Sequence, residues 1–212
     1  MLNLYITRHG ETQWNSENRL QGWKDSDLTD NGKRNAVALG ERLSQIKFNA
    51  IYSSPIERAV KTTKLICFDR IIPIRFEDGL KEINLGDWEG KVKEEIEQHS
   101  KQEFFDFWNA PHLYNHEPHN GESLEALKSR VEHVINRIIA DNKDGNVLIV
   151  THGVTIRAIL SYLMNIPTEK WWEGPFIEGT SLTLAQYDEG TFQVKMIGDT
   201  SHINMETRNA KK

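Results

Sequence analysis

Apolar residues recur along the chain with two different periods, which alternate from the N-terminus onward. Leu2, Leu4 and Ile6 occupy every second position and predict a first strand that ends at residue 7. Residues 147–150 are all apolar, which is typical of a strand buried on both faces of a parallel sheet. Further strands are predicted at residues 50–53 and 71–76, and a hairpin at residues 181–196.

Helical spacing fills the segments between these strands. Thr29, Ser54 and Ser123 are candidate N-caps, each followed by apolar residues three and four positions apart. Pro55 fits the first position of a helix that we expect to continue to Ile66, with a capping box at its start. The other helices are predicted at residues 124–138, closed by Gly145, at 154–164 and, in pieces, at 93–108.

Strands that alternate with helices indicate an α/β fold. We predict a three-layer α/β/α sandwich with a mostly parallel central sheet, an edge hairpin and a small helical cover. No repeat and no linker rich in Pro, Gly or Ser divides the sequence. We therefore predict a single domain over residues 1–212, with a loose polar end from about residue 206.

The composition argues against several kinds of partner. The net charge of −5 gives no electrostatic footprint for nucleic acid or for an anionic membrane surface. Cys67 is the only cysteine, so an internal disulfide and a cysteine-based metal cluster are excluded. The apolar N-terminal stretch is too short for a signal peptide, and no apolar run approaches membrane-spanning length. We expect a cytoplasmic protein, monomer or dimer, without nucleic-acid or membrane partners.

Chemically active side chains follow the predicted strands. In an open parallel sheet, ligands bind outside the carboxyl ends of the strands. Four such ends lead to two histidines, two arginines and one carboxylate, namely Arg8, His9, Arg58, Glu82 and His152. Each of them alone would more often be a packed or surface residue. Because four separate strand ends deliver them to one rim, we expect them to form a site.

This set of residue types matches phosphoryl transfer. Arginine binds a phosphate group bidentately and keeps its charge, so Arg8 and Arg58 are suited to clamp the phosphoryl oxygens. A neutral histidine can act as the nucleophile, and a carboxylic acid can protonate the leaving alkoxide. Two histidines and a carboxylate could instead bind zinc, but the adjacent arginines would repel a cation. We therefore expect no metal and no cofactor.

Several segments occur in the order of a known family. They are RHGET at residues 8–12 with Asn15, RLQGW at 19–23, YSSP at 52–55 with Arg58, EINLGDWEG at 82–90, GES at 121–123 and VTHG at 150–153. Together they resemble the histidine phosphatase superfamily, also called phosphoglycerate-mutase-like. The resemblance extends along nearly the whole chain.

The resemblance implies a role for each matching residue. His9 would become the phosphohistidine and Glu82 would be the proton donor. The remaining residues implied in phosphate or substrate binding are Arg8, Asn15, Gln21, Gly22, Arg58, His152 and Gly153. The implied partner is a small-molecule phosphate monoester.

The superfamily contains both hydrolases and mutases. Residues 85–90 resemble the phosphatase branch, and the Arg-His-Tyr-Gly-like run of the mutases is absent. Residues 104–114 resemble the cover of the broad-specificity PhoE-type phosphatases, although their aromatic side chains would serve equally well as packing. We therefore predict a phosphatase of broad specificity that acts through a phosphohistidine.

Three alternatives stay open. They are a phosphoglycerate mutase that depends on 2,3-bisphosphoglycerate, an alpha-ribazole phosphatase, and a protein that binds a phosphorylated ligand without turnover. The physiological substrate is not predicted, because specificity depends on the variable cover and not on the phosphate pocket.

Overall fold

The architecture centres on one mixed sheet of six strands. The structure is a computed structural model that describes residues 1–68 and 70–203, so the predicted loose end from residue 206 lies outside the described residues. The strands are β1 (Leu2–Arg8), β2 (Ala50–Ser53), β3 (Ile74–Phe76), β4 (Gly145–Thr151), β5 (Leu182–Asp188) and β6 (Thr191–Asp199), in the spatial order β3-β2-β4-β1-β5-β6. The first four are mutually parallel, and the β5–β6 hairpin joins β1 antiparallel.

Helices cover both faces of this sheet. They are α1 (Gln13–Ser16), α2 (Asp30–Arg42), α3 (Glu57–Ile66), α4 (Lys93–His99), α5 (Lys101–Asn109), α6 (Leu124–Asp141) and α7 (Gly153–Met164). In β4, Val147 and Ile149 pack with α6 and α7, whereas Leu148 and Val150 pack with α2 and α3. Successive strand residues point to opposite faces, which explains why this run is wholly apolar. The predicted three-layer sandwich is confirmed.

A small helical cover lies over one end of the sheet. It consists of α4 and α5 with the short 3-10 turns that follow, and its rings pack on buried Trp88. Phe107 lies 4.9 Å from Trp108 and 5.3 Å from Trp172 between ring centroids. The indole nitrogen of Trp172 donates to the carbonyl of Phe107 at 2.5 Å, which ties the cover to residues 172–179.

Three local predictions were wrong in detail. Helix α3 begins at Glu57 with Ile56 as its N-cap, and the Ser54 hydroxyl lies against His152 instead. Strand β3 is shorter than predicted, because Ile71 is fully exposed and lacks a strand partner. Gly145 opens β4 with φ +88, whereas α6 ends at a C-cap on Asn142. Thr29 and Ser123 cap their helices as predicted.

The buried face of β4 provides a stability test. Leu148 has no exposed surface, so Leu148→Ala leaves a cavity between β4 and the α2–α3 layer. We expect the free energy of unfolding, measured by urea denaturation, to fall by about 2–5 kcal/mol. Leu113→Ala is the matched control, because Leu113 is 60% exposed. We expect the control to change stability by less than about 0.5 kcal/mol. Equal losses would contradict the assigned core.

Candidate active site

The sheet topology brings the two histidines together. Strands β1 and β4 are parallel neighbours, with Arg8 paired to Thr151, and each strand is followed directly by a histidine. The backbone N–H of His9 continues the ladder by donating to the Thr151 carbonyl at 2.9 Å. The ring centroids of His9 and His152 are consequently 5.2 Å apart. Residues that lie 143 positions apart in sequence thus meet because their strands are in register.

Two hydrogen bonds define the proton position on His9. Nδ1 lies 2.7 Å from the carbonyl oxygen of Gly10, which can only accept, so Nδ1 carries the ring proton. Nε of Arg58 can only donate, and it lies 3.2 Å from Nε2, so Nε2 keeps its lone pair. Burial, reinforced by Arg58 and Arg8, holds the pKa of His9 well below 6.5. The ring is therefore a neutral imidazole, and although only 2% exposed it lines a cavity at this end of the sheet.

Arg58 is buried and nearly saturated with acceptors. Its terminal nitrogens donate to the Lys24 carbonyl at 2.7 Å, to Oδ1 of Asp25 at 3.0 Å and to the Gly22 carbonyl at 2.7 Å. Burial lowers the pKa of Arg58, and Asp25 opposes that shift. The guanidinium therefore holds residues 22–25 against His9 as well as facing the cavity.

Arg8 and His152 each carry an unsatisfied nitrogen. A terminal nitrogen of Arg8 donates to the Ile177 carbonyl at 2.9 Å, but its Nε is buried without a partner in the described chain. His152 is fully buried, with Nε2 lying 2.7 Å from the Ser54 hydroxyl and Nδ1 unpartnered among the described residues. Burial, followed by the charge of Arg58, holds the pKa of His152 well below 6.5. A buried guanidinium N–H without a partner, as at Arg8, fits an anionic ligand.

The carboxylate of Glu82 lies at the N-terminus of α7. Oε1 accepts from the backbone N–H groups of Thr155 and Ile83, both at 3.0 Å, and Oε2 accepts from the Val154 N–H at 3.2 Å. Gly153, the first residue of this helix, lies beside Arg8. The helix terminus thus holds the carboxylate on the cavity wall, where its orphan N–H groups favour an anion.

Sequence reasoning missed the residue that holds the backbone of Glu82. Arg130 of α6 donates to the carbonyls of Gly79, Lys81 and Glu82 at 3.0, 2.7 and 2.8 Å. It also pairs bidentately with Glu122 at 2.7 and 2.9 Å. The GES segment that contains Glu122 is recognisable in the sequence, but no local pattern identifies Arg130, eight residues later, as the partner of Glu122.

Asn15 and Gln21 lie on the wall predicted for them. The Oδ1 of Asn15 accepts from both the N–H and the hydroxyl of Thr12 at 3.1 Å, so its amide nitrogen is left to donate to a ligand. Gln21 is buried and accepts from the Ser26 hydroxyl at 3.2 Å. Both side chains line the cavity.

Gly22 is required by its surroundings. Its φ is +54, and a Cβ there would lie 2.1 Å from Oε1 of Glu89. Glu89 is itself buried and accepts from the backbone N–H groups of Trp23, Lys24 and Leu85 at 2.8, 3.0 and 3.0 Å. Glu89, which sequence reasoning did not single out, thus joins the loop after the first histidine to the loop that carries Glu82.

These groups open onto one cavity of about 470 Å³. Its mouth is lined by partly or fully exposed cations and apolar rings, of which only Trp108 belongs to the predicted cover; they are Arg19, Lys93, Arg157, Trp108, Trp172 and Phe176. The buried ring of Phe107 also lines the cavity. Phe107 and Trp108 therefore both pack and face the cavity. The predicted site residues all line this cavity except His152, whose ring centroid lies 5.2 Å from that of His9.

Neither a metal cluster nor a membrane-spanning helix occurs in the part of the chain that the structure describes. Residues 1–68 and 70–203 contain no group of three or more His, Cys, Asp or Glu side chains arranged to hold a metal ion. Within the same residues, no helix is long and apolar enough to cross a membrane.

The fold and the site define a class of α/β proteins with a buried neutral histidine between two arginines at the carboxyl end of the sheet. The sequence profile of the histidine phosphatase superfamily (branch 1) matches residues 4–200. The chain belongs to this superfamily.

Named relatives span most of the chain. Phosphoserine phosphatase 1 of Hydrogenobacter thermophilus is 31% identical over 172 residues, which cover 81% of this chain and 81% of that protein. The probable phosphoglycerate mutase GpmB of Salmonella arizonae is 29% identical over 213 residues, which cover 96% of each protein. The solved structure of Bacillus stearothermophilus YhfR has a TM-score of 0.92 and 42% identity, covering 96% of this chain and 100% of that one.

The electrostatics of His9 make a prediction about pH. Because its pKa is lowered, the neutral ring should persist below pH 6.5, and the unfolded chain should bind the proton first. The free energy of unfolding should therefore fall as the pH drops below about 6.5. Arg58→Met removes one cause of the shift and should move the His9 titration, followed by NMR, to higher pH. Wild-type titration of His9 at 6.5 or above would contradict a lowered pKa and a neutral ring.

The hydrogen bonds of Arg130 predict a positioning role. Arg130→Met should free the backbone of residues 79–82 and displace the Glu82 carboxylate. We expect kcat for phosphate ester hydrolysis to fall by about 10²-fold with a smaller change in KM. Arg137→Met is the control, because Arg137 lies on the same helix and pairs with Glu77 away from the cavity. Similar kcat values for both variants would refute the role.

Proposed function

We propose that this chain is a phosphatase that hydrolyses phosphate monoesters of small metabolites, with Nε2 of His9 as the nucleophile. The observation that carries the proposal is the lone pair on Nε2, which is held by Arg58 at the wall of the cavity. The hydrogen bond from Nδ1 to Gly10 fixes the ring and would stabilise the charge that the ring acquires on attack.

In the first step Nε2 attacks phosphorus and the bond from phosphorus to the ester oxygen breaks. The electron pair of that bond goes to the leaving oxygen, which takes a proton from the Glu82 carboxyl group. As Nε2 loses its lone pair, Nε of Arg58 loses its acceptor and is released to donate to a phosphoryl oxygen. The unpartnered Nε of Arg8 and Nδ1 of His152 are suited to the other oxygens.

In the second step water attacks the phosphohistidine. Glu82, now a carboxylate, takes a proton from the water, and the electron pair of the phosphorus–nitrogen bond returns to Nε2. The products are the alcohol and inorganic phosphate, and the neutral imidazole is restored. The hydrogen bonds from α7 support this role, because they fix the carboxyl group on the wall of the cavity that His9 also lines.

The mouth of the cavity supports broad specificity. Aromatic faces such as Trp108 and Trp172 offer apolar contact with little dependence on ligand shape, and Lys93 and Arg157 add positive charge. The relatives include one named as a phosphoserine phosphatase and one named as a probable phosphoglycerate mutase. A mutase is therefore kept as the second candidate, favoured by the cations that could hold a second anionic group. Broad PhoE-type specificity, cytoplasmic location and oligomeric state remain predictions.

The proposal is tested by removing the nucleophile. We expect His9→Ala to lower the hydrolysis of an aryl phosphate by about 10³-fold or more. Wild-type protein incubated with phosphate-labelled ester and quenched should carry an acid-labile label that His9→Ala lacks. Glu82→Gln should slow ester cleavage, because an amide cannot give the leaving oxygen a proton. Near-normal turnover in His9→Ala would refute the mechanism.

A substrate panel separates the candidates. Hydrolysis of several phosphorylated metabolites with similar kcat/KM would support the phosphatase. Interconversion of phosphoglycerates that a bisphosphate stimulates, with little release of phosphate, would instead establish the mutase. Binding without turnover of any member would indicate a ligand-binding protein.

A further inference from the structure

We propose that Ser54 is a positioning residue that sets the ring proton of His152, so that Nδ1–H faces the phosphoryl group. The inference rests on the proposed function and concerns a residue that the reaction itself does not consume. The observation behind it is that Ser54, predicted as an N-cap, does not cap α3. Its hydroxyl instead lies 2.7 Å from Nε2 of His152.

The direction of this hydrogen bond follows from the other contacts of Ser54. Its hydroxyl oxygen accepts from the backbone N–H of Ile56 at 3.3 Å, and a hydroxyl has a single proton to donate. Ser54 is fully buried, and Nε2 of His152 is the acceptor within reach. If Nε2 carried the proton instead, the Ser54 hydroxyl proton would be buried without an acceptor, which is costly.

A neutral imidazole has one ring proton, so a donating hydroxyl at Nε2 places that proton on Nδ1. Nδ1 of His152 is buried and unpartnered in the described chain, beside His9 and its two arginines. With a proton there, the ring donates to an anion. With the opposite tautomer, a lone pair would face the phosphoryl oxygens and repel them.

The backbone makes this arrangement rigid. The N–H of Ser54 donates to the Val150 carbonyl at 2.9 Å, which extends the pairing of β2 with β4 to the point where His152 follows. The helix α3 that begins three residues later carries Arg58. Residues 54–58 thus supply both the guanidinium of Arg58 beside His9 and the Ser54 hydroxyl that orients His152.

The tautomer can be measured without turnover. In protein labelled with ¹⁵N-histidine, NMR should show the His152 ring proton on Nδ1, with the signal assigned by its loss in His152→Asn. Addition of inorganic phosphate should shift that proton. A proton on Nε2 in the wild-type protein would overturn the inference while leaving the phosphatase proposal intact. An active His9→Ala variant would instead overturn the phosphatase mechanism, and only the assignment of the His152 ring proton would stand.

Variants then connect the tautomer to the reaction. Ser54→Ala should raise the fraction of His152 protonated on Nε2 and lower kcat/KM by about 10- to 100-fold, the value of one hydrogen bond to a charged group. Ser54→Thr keeps the hydroxyl and should restore both readings.

The control is Ser53→Ala. Ser53 is equally buried, and its hydroxyl donates to the Ser54 carbonyl and accepts from Thr63, away from His152. In Ser53→Ala we expect the His152 ring proton to remain on Nδ1 and kcat/KM to stay within about 3-fold of wild type. An equal loss in both alanine variants, or no loss in a folded Ser54→Ala, would refute the positioning role.

Discussion

The hydrogen bond from Nε of Arg58 to Nε2 of His9 is the contact on which the site depends. Burial, together with the cation beside the ring, keeps the imidazole neutral and leaves its lone pair on Nε2. That cation is tolerated because the carbonyls of Gly22 and Lys24 and the carboxylate of Asp25 accept its other protons. The loop that supplies them can bend this way because residue 22 lacks a side chain and Glu89 holds the loop's N–H groups. A buried neutral histidine is thus maintained by the hydrogen bonds that Arg58 and Glu89 make with the loop at residues 22–25.

The rest of the site is positioned by secondary structure. The register of β1 with β4 places two histidines side by side, and the N-terminus of α7 holds the Glu82 carboxylate on the wall of the cavity that His9 lines. Arg130 ties the backbone of that glutamate to α6. Each chemical group therefore has its position set by a strand, a helix terminus or a buried ion pair. Such rigid support suits phosphoryl transfer, in which positioning and electrostatics supply most of the catalysis.

The two ends of the cavity are built differently. The histidine end is made of buried groups bonded to backbone, whereas the mouth is made of rings and cations on the cover and on residues 172–179. Trp172 joins the cover to residues 172–179 by donating to the Phe107 carbonyl, and Arg157 of α7 donates to the Glu173 carbonyl at 2.8 Å. This division accounts for a family whose members carry different substrate names on one fold.

The sequence by itself determined the layers, the order of the main elements and the set of residues gathered at the sheet end. Apolar periodicity reports burial directly, and the residues at strand ends are read from the same pattern. The sequence did not determine what holds those residues in place. Ser54 follows every local rule for a helix cap, yet its hydroxyl bonds to His152, 98 residues away, because strand pairing brings a buried imidazole within reach. The roles of Arg130, of Glu89 and of the cations at the mouth were likewise set by the tertiary structure, because their partners are backbone groups or side chains distant in sequence. Local spacing along the chain does not indicate which buried group a polar side chain will contact.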